Sequence, residues 1–286
     1  MRLHRKTAAV GKRPQPDDQR AERAAMFPPW LLLPAAAGAA FILIPLAAVF
    51  AGVPWDEFWG LVTSAEALTA LGLSLRTAAA ATVLCVLLGL PLALLLTRMR
   101  FPGAGVVRAL VLVPMVLPPV VSGVALLHAF GRKGLVGGTL ELFGVSVAYS
   151  TAAVVIAQAF VSLPFLIITV EQALRSLDPE VIEAAVMDGA QRTQVLRFMV
   201  LPLIKSGLLA GIILAFARSL GEFGATIAFA GSLQGVTRTL PLEIYLQRET
   251  DPDAALALSL LLILVAAVVV GTVGSARLRG RSSTRA

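Results

Sequence analysis

Long apolar runs alternate with short polar segments along most of the chain. Each run reaches the roughly 20 residues that a helix needs to cross the hydrocarbon core of a bilayer. Six such spans are predicted, at residues 30–53, 77–96, 106–130, 148–170, 206–231 and 254–274. The pattern therefore predicts an all-α integral membrane protein. Its transmembrane domain, 30–275, lies between an N-terminal tail at 1–29 and a C-terminal tail at 276–286.

Proline residues are concentrated in the third span. Pro114, Pro118 and Pro119 each lack a backbone N–H, so the hydrogen-bond ladder of this helix must be interrupted. Irregular backbone at membrane depth persists where it is buried in protein or lines a wet path. Pro118 and Pro119 are therefore predicted to border a translocation path, although prolines are also frequent in spans that only pack.

The fifth span carries a pair of opposite charges. Arg218 and Glu222 are four residues apart and so share one helical face, which Gly211, Ala215 and Thr226 extend. An ionised arginine facing lipid near the bilayer centre costs about 3 kcal/mol or more, so this stripe must face protein or water. Two interpretations stay open: the pair packs the subunits, or Arg218 contacts a substrate whose binding Glu222 tempers.

The same span also contains two glycines at a helix-packing spacing. Gly207 and Gly211 form a G-x-x-x-G pattern, which lets two helices approach each other closely. This contact is predicted either at a seam between two subunits or within one chain.

Composition and charge support a membrane protein and argue against a nucleic-acid-binding protein. The chain is 57% hydrophobic and 14% charged, too apolar for a soluble domain, with a net charge of +7. Eighteen of its 24 Lys and Arg residues lie in alternate segments, at 1–29, 98–108, 171–205 and after 275. The positive-inside rule therefore places both termini and the loop 171–205 in the cytoplasm. A nucleic-acid-binding surface would be continuous instead.

The basic tail 1–29 is expected to be retained and disordered, because it is rich in Pro, Asp, Gln and Arg and lacks a cleavage pattern. Neither catalysis nor metal binding is predicted. No G-x-x-x-x-G-K-[ST] loop and no nucleophile elbow is present, and Asp251-Pro252-Asp253 is typical of a turn before a helix. Cys85 is the single cysteine, and His4 and His128 are too few for a zinc site.

A polar insert between the fourth and fifth spans has the features of a short helix. Asp178 is a favourable N-cap, Pro179 suits the first helical position, and Gly189 can end the helix. The predicted helix is amphipathic and carries acidic residues at its positive end. Its knobs for the groove of a partner protein are predicted to be Ile182, Ala185, Val186 and Gly189.

Three stretches of the chain resemble bacterial molybdate ABC-transporter permeases. The first is the insert, where Glu183-Ala184-Ala185, Gly189 and Leu201-Pro202 match the coupling motif of ABC importers; only Met199 departs from it, where isoleucine is usual. The others are 114–123 and 217–245, the latter reading ARSLGEFGATIAFAGSLQGVTRTLPLEIY. Sulfate permeases share L-G-E-F-G, but 224–226 and 237–242 favour molybdate.

The resemblance implies a type I ABC-importer permease fold in the bacterial inner membrane. It implies a homodimer with one path between the subunits, two copies of a cytoplasmic ATPase that bind ATP and Mg²⁺, and an external binding protein that delivers the anion. The ATPase-coupling residues would be Glu183, Ala184, Ala185, Gly189, Leu201 and Pro202. The alternatives are a permease for sulfate, thiosulfate or tungstate, an ion-coupled secondary transporter with Arg218 and Glu222 in a proton relay, and a membrane-embedded enzyme.

Overall fold

The computed structural model describes residues 28–98 and 102–283, and the regular structure within these ranges is entirely helical. The predicted tail 1–29 lies outside the described residues except for its last two positions. The principal helices are α1 Leu32–Gly52, α2 Ala65–Arg98, α3 Ala104–Val116, α4 Pro119–Phe130, α5 Thr151–Arg175, α6 Pro179–Met187, α7 Lys205–Leu220, α8 Gly224–Ala230, α9 Leu240–Thr250 and α10 Pro252–Ser283.

Shorter helical segments connect these helices. A 3₁₀ turn at Pro29–Leu31 precedes α1, and a π-helical segment at Leu196–Val200 lies between α6 and α7. The remaining short helices are Phe58–Val62, Gly137–Leu142, Arg192–Val195 and Leu201–Leu203.

The number of membrane spans agrees with the hydropathy pattern when bent helices are counted as single spans. Within the described residues, four helices are long and apolar enough to cross a bilayer by themselves: Pro29–Gly52, Ala65–Thr97, Thr151–Arg175 and Pro252–Gly271. Two bent helix pairs bring the number to six if each pair is counted as one span. The chain bends by 118° between Ala104–Val116 and Pro119–Phe130. It bends by 70° between Arg192–Leu203 and Lys205–Leu220. The predicted fold class and the predicted break in the third span are thus confirmed.

Helix α1 forms a unit of its own, and the chain from Val53 onward forms a second compact unit. At the centre of the second unit lies α5, whose N-terminus is capped by Ser150: its hydroxyl oxygen accepts a hydrogen bond from Ala153 N. Helix α5 packs against α2, α3, α4, α7 and α8. One hydrophobic cluster joins it to α2 and α7, and another joins it to α4 and α8.

Several predicted boundaries differ from the structure, most of all at the start of α2, at the end of α10 and within the fifth span. Helix α2 begins at Ala65, twelve residues before the predicted start, because the turns outside the apolar run remain helical. Helix α10 continues to Ser283, past the predicted boundary at 275. The predicted span 206–231 is wrong as a continuous helix: α7 ends at Leu220 and α8 begins at Gly224. Glycine is a poor helix former, and Gly221 and Gly224 flank this break.

Candidate functional site

The polar insert folds as the helix α6, and its N-terminus is capped by Asp178. The carboxylate Oδ1 of Asp178 accepts a hydrogen bond from Glu180 N at 3.0 Å. Pro179 occupies the first helical position, where a missing N–H costs nothing. The predicted N-terminal boundary is therefore confirmed, with its physical reason.

The C-terminus of α6 ends in a Schellman motif centred on Gly189. Gly189 has φ +86°, in the left-handed region that glycine adopts without strain. Its N–H bonds to Val186 O at 3.1 Å, and the N–H of Ala190 bonds to Ala185 O at 3.1 Å. These two bonds satisfy carbonyls that the end of the helix would leave without partners. The sequence prediction that Gly189 stops the helix is confirmed.

The division of α6 into buried and exposed residues differs from the prediction. Ile182 and Ala185 are half-buried and pack against the main hydrophobic cluster of the same chain, so this part of the predicted face turns toward the chain's own core. Val186 is exposed, as are Glu183 and Gly189. The outer apolar surface includes Val181 and Met187, which is 86% exposed. The predicted amphipathic character of α6 is confirmed, but the inner side of its apolar face packs in the chain's own core.

The chain between α6 and α7 packs against the helical bundle. Gln191 and Gln194 form a capping box in which Gln194 Oε1 accepts a hydrogen bond from Gln191 N at 2.9 Å. Met199 and Leu201 pack against the main cluster, so the methionine that replaces the usual isoleucine fills a place in the core. Pro202 is exposed next to the bend into α7.

The Arg218–Glu222 pair forms, although Arg218 belongs to α7 and Glu222 lies in the break between α7 and α8. Arg218 Nη1 is 2.6 Å from Glu222 Oε2, and the side chains are 29% and 1% exposed. The second carboxylate oxygen, Oε1, accepts a hydrogen bond from Ala225 N at 2.7 Å. Glu222 therefore fastens the end of α7 to the start of α8 and places a negative charge at the positive end of α8.

Buried polar side chains surround this break. Ser219 Oγ donates to Ser162 Oγ of α5 at 2.9 Å. Thr226, Ser122 of α4 and Gln158 of α5 are also fully buried, and among the described residues their polar side-chain atoms have no hydrogen-bond partner. An unmet buried polar group costs about 1–3 kcal/mol, so this region is less stabilised than an apolar interface would be.

Helices α4 and α8 approach each other closely beside the break. A Cβ on Gly224 would lie 2.6 Å from Cβ of Pro119, and a Cβ on Gly123 would lie 2.7 Å from the carbonyl oxygen of Ala225. Pro118 and Pro119 are themselves exposed on the chain. Of the residues predicted for the path or seam, the two prolines and Arg218 are thus accessible, whereas Glu222, Thr226 and Gly211 are buried.

Gly207 and Gly211 face the same chain. A Cβ on Gly207 would collide with Cβ of Ala173, and a Cβ on Gly211 would lie 3.4 Å from Leu166 O, both in α5. The alternative of intrachain packing therefore describes this pair, and Gly211 is not part of an exposed path or seam in this conformation.

The sequence of the chain matches the family described as "Binding-protein-dependent transport system inner membrane component" over residues 85–280. The chain belongs to this family. Permease proteins ModB of the molybdenum transport systems of Mycobacterium tuberculosis and Mycobacterium bovis are each 59% identical over 250 residues, covering 87% of this chain and 94% of theirs. The sulfate transport permease CysT of Salmonella typhimurium is 35% identical over 242 residues, covering 83% of this chain and 87% of its own. These relatives confirm the resemblance to molybdate permeases.

Solved structures of ABC transporters share the fold of this family member. A bacterial ABC transporter involved in alginate import superposes with a TM-score of 0.67 at 19% identity, over 92% of this chain and 97% of that one. The inward-facing methionine transporter MetNI superposes with a TM-score of 0.57 at 21% identity, over 74% of this chain and 97% of that one. The similarity establishes the permease fold.

Sequence reasoning missed two ionic clusters in this permease. Arg238 Nη1 lies 3.5 Å from the buried carboxylate of Glu243, which also accepts a hydrogen bond from Gln247 Nε2 at 2.8 Å. Nearby, Ser74 Oγ of α2 accepts a hydrogen bond from Leu240 N at 2.7 Å. The segment 237–242, part of the resemblance to molybdate permeases, is thus largely buried and anchors α9 on α2. The other cluster consists of Glu171 with Arg108 and Arg175. For the cluster around Glu171, the signal was a charged residue at the edge of an apolar run.

Proposed function

We propose that this chain is the permease subunit of a molybdate importer in the bacterial inner membrane. Two copies would form one path between them, with both termini and α6 in the cytoplasm. The proposal is supported by the 59% identity to mycobacterial molybdenum permeases, against 35% to a sulfate permease. The observation that carries the coupled mechanism is α6 itself, a helix capped at both ends between two spans.

The outer face of α6 is suited to dock on a cytoplasmic ATPase. It presents the exposed apolar side chains of Val186 and Met187 together with the acidic Glu183, and Val181 is exposed at its border. Apolar anchors bordered by charge give both affinity and orientation. The opposite face is fixed to the core by Ile182 and Ala185, so a displacement of α6 must move the core with it.

The subunit itself carries no catalysis in this scheme. ATP and Mg²⁺ are bound by the partner ATPase, and closure of two ATPase copies draws the two α6 helices together. The path then opens outward to an external binding protein, and hydrolysis returns it to the inward state. Such alternating access requires only that nucleotide binds the two states with different affinity.

The charge arrangement around the break between α7 and α8 suits passage of a dianion. Arg218 is partly exposed and supplies positive charge, while the buried Glu222 beside it reduces the depth of the binding well. Conduction needs binding that is weak enough for release. The accessible Pro118 and Pro119 lie at the other irregular backbone segment, the break between α3 and α4. A water-filled path is physically permitted beside such a segment.

The test is transport by the complete complex in proteoliposomes that contain the permease, its ATPase and its binding protein. We expect ATP-dependent uptake of molybdate, with sulfate far less effective. Glu183→Lys should lower uptake about tenfold or more by weakening ATPase docking. Glu249→Lys, at an exposed position of α9, reverses the same charge on a different surface and should have little effect.

Three outcomes would contradict the proposal. Uptake of sulfate without molybdate would make the substrate assignment wrong. Uptake driven by an ion gradient without ATP would favour the secondary transporter. Equal uptake and ATPase association in wild type and Glu183→Lys would remove α6 as the docking element.

A further inference from the structure

An arginine ties three helices together at the end of the bundle that carries α6. Arg108, in the second turn of α3, donates through Nη2 to the carbonyl oxygen of Leu96 in α2 at 2.9 Å. The same nitrogen is 3.1 Å from Oε1 of Glu171 in α5. One guanidinium therefore binds the carbonyl end of α2 and a carboxylate of α5. Cations near the carbonyl end of a helix also interact favourably with its dipole.

Glu171 is largely enclosed and has a second cationic neighbour. Its side chain is 10% exposed, and Arg175 Nη2 lies 3.8 Å from Oε2. Arg175 is 57% exposed and belongs to α5 itself, so this contact joins no two helices. Of the two cations, only Arg108 connects α3 to α5. Arg175 is therefore a matched control for Arg108, because it contacts the same carboxylate without joining two helices.

Glu171, the acidic partner in the Arg108–Glu171 contact, lies near the end of α5, shortly before α6 in the chain. Helix α5 ends at Arg175, and α6 begins at Pro179. Val107 and Val111 of α3 pack against the same hydrophobic cluster as Ile182 and Ala185 of α6. Helices α3, α5 and α6 thus share one apolar core, and the Arg108–Glu171 contact adds the directional link that apolar packing does not supply.

Helix α3 leads from this contact to the break in the third span. It ends at Val116, and after Leu117 and Pro118 the chain turns by 118° into α4. In turn, α4 packs closely on α8 beside the Arg218–Glu222 pair. A motion imposed on α6 can therefore reach the break through α3, provided that α3 is held to α5.

We infer that Arg108 is a positioning residue for transport: with Glu171 it fixes α3 to α5, so that α3 follows α6 and carries the ATPase-driven motion to the break in the third span. This inference rests on the proposed function. A purely local role, in which Arg108 only caps α2, makes a different prediction. In that case the loss of the arginine would reduce stability and leave the coupling of hydrolysis to uptake unchanged.

The variants are Arg108→Gln, which removes the cation, Arg108→Lys, which keeps it, and Arg175→Gln as the matched control. Each is incorporated in the full complex, and molybdate uptake per ATP hydrolysed is measured. We expect Arg108→Gln to lower this ratio about tenfold, within the usual range of coupling between sites. Arg175→Gln should keep the wild-type ratio, and Arg108→Lys should recover most of it.

A distance measurement tests the same link without reference to the substrate. Nitroxide labels are placed at the exposed positions Val106 of α3 and Thr193 beyond α6, in complexes diluted so that one copy is labelled. In wild type the distance distribution should stay narrow with and without ATP. In Arg108→Gln it should broaden when ATP is bound, because α3 no longer follows α6.

The inference is overturned if Arg108→Gln keeps both the uptake ratio and the narrow distribution, or if Arg175→Gln loses as much coupling. A wild-type complex that imports no oxyanion would refute the proposed function instead. The distance distributions would then still decide whether Arg108 holds α3 to α6.

Discussion

Replacement of one member of the Arg218–Glu222 pair should destabilise the permease more than replacement of both. Arg218→Leu leaves the buried Glu222 carboxylate with the amide of Ala225 as its one described partner. Glu222→Leu removes that cap and leaves the arginine without its carboxylate. In the double variant Arg218→Leu with Glu222→Gln, no charge remains, and the glutamine oxygen can still accept from Ala225 N.

The magnitude follows from the exposure of each group. Breaking a buried ion pair by removing one partner costs about 3–5 kcal/mol. Arg218 retains some contact with solvent, so we expect Arg218→Leu to cost about 3 kcal/mol, at the lower end of that range. Glu222→Leu should cost about 2 kcal/mol, because the arginine can turn toward water while the helix cap, worth about 1 kcal/mol, is lost. The double variant should stay within about 1 kcal/mol of wild type.

The assay is the free energy of unfolding of purified permease in mixed micelles, together with assembly and molybdate uptake. Arg132→Leu is the control, since it breaks an exposed pair in which Arg132 Nε is 3.8 Å from Glu141 Oε1. That substitution should cost less than about 1 kcal/mol. Molybdate uptake by the double variant separates the two roles, because a purely structural pair would regain uptake, whereas an Arg218 charge that acts on the anion would not.

Two results would refute this reasoning. A double variant that loses as much stability as Arg218→Leu alone, or more, would show that removing the charge of Glu222 relieves nothing and that the two residues do not act as a pair. A stable, assembled double variant that imports molybdate at the wild-type rate would refute the proposed contribution of the Arg218 charge to passage of the anion.

Three further predictions concern packing, backbone conformation and topology. Gly123→Ala should cost about 1–3 kcal/mol because its Cβ would meet a backbone oxygen, whereas Gly60→Ala has open space and should be neutral in the same unfolding assay. Gly189→Ala should destabilise the end of α6 by about 1–2 kcal/mol, seen as faster local amide exchange, because its φ is positive. A cysteine at Gln234 should react with impermeant reagents from outside the cell, and one at Thr193 only from inside.

The ends of α6 could be predicted from sequence because capping is a local property. Asp178, Pro179 and Gly189 act through hydrogen bonds and dihedral angles within a few residues, so their roles follow from residue type and spacing. The face of α6 that turns inward could not be read in the same way. Both Ile182 and Val186 are apolar, and only the position of the surrounding core decides that Ile182 is the inner one.

Hydropathy located the membrane spans but did not report whether a span is one helix. The fifth apolar run continues through Gly221 and Gly224, where the backbone leaves the helix. The Arg218–Glu222 contact is predicted from a shared helical face, and it forms although Glu222 lies outside α7, because Glu222 N still bonds to Ser219 O at 3.2 Å. Long-range links such as Arg108 with Glu171 leave no periodic signal, since 63 residues separate the partners.

The breaks in the third and fifth runs lie against each other, which gives a physical reason for both. Backbone that leaves the helix at membrane depth needs protein or water for its polar groups. Gly224, at the start of α8, is packed so tightly against Pro119 that a side chain at this glycine would collide with the proline ring. The two irregular segments therefore pack on each other along one side, and Glu222 Oε1 satisfies one of the freed amides. The buried hydroxyl of Ser122 on α4 and that of Thr226 on α8 find no partner among the described residues. Separation of α4 from α8 would hydrate both hydroxyls, so this contact costs less to open than an apolar one of equal area.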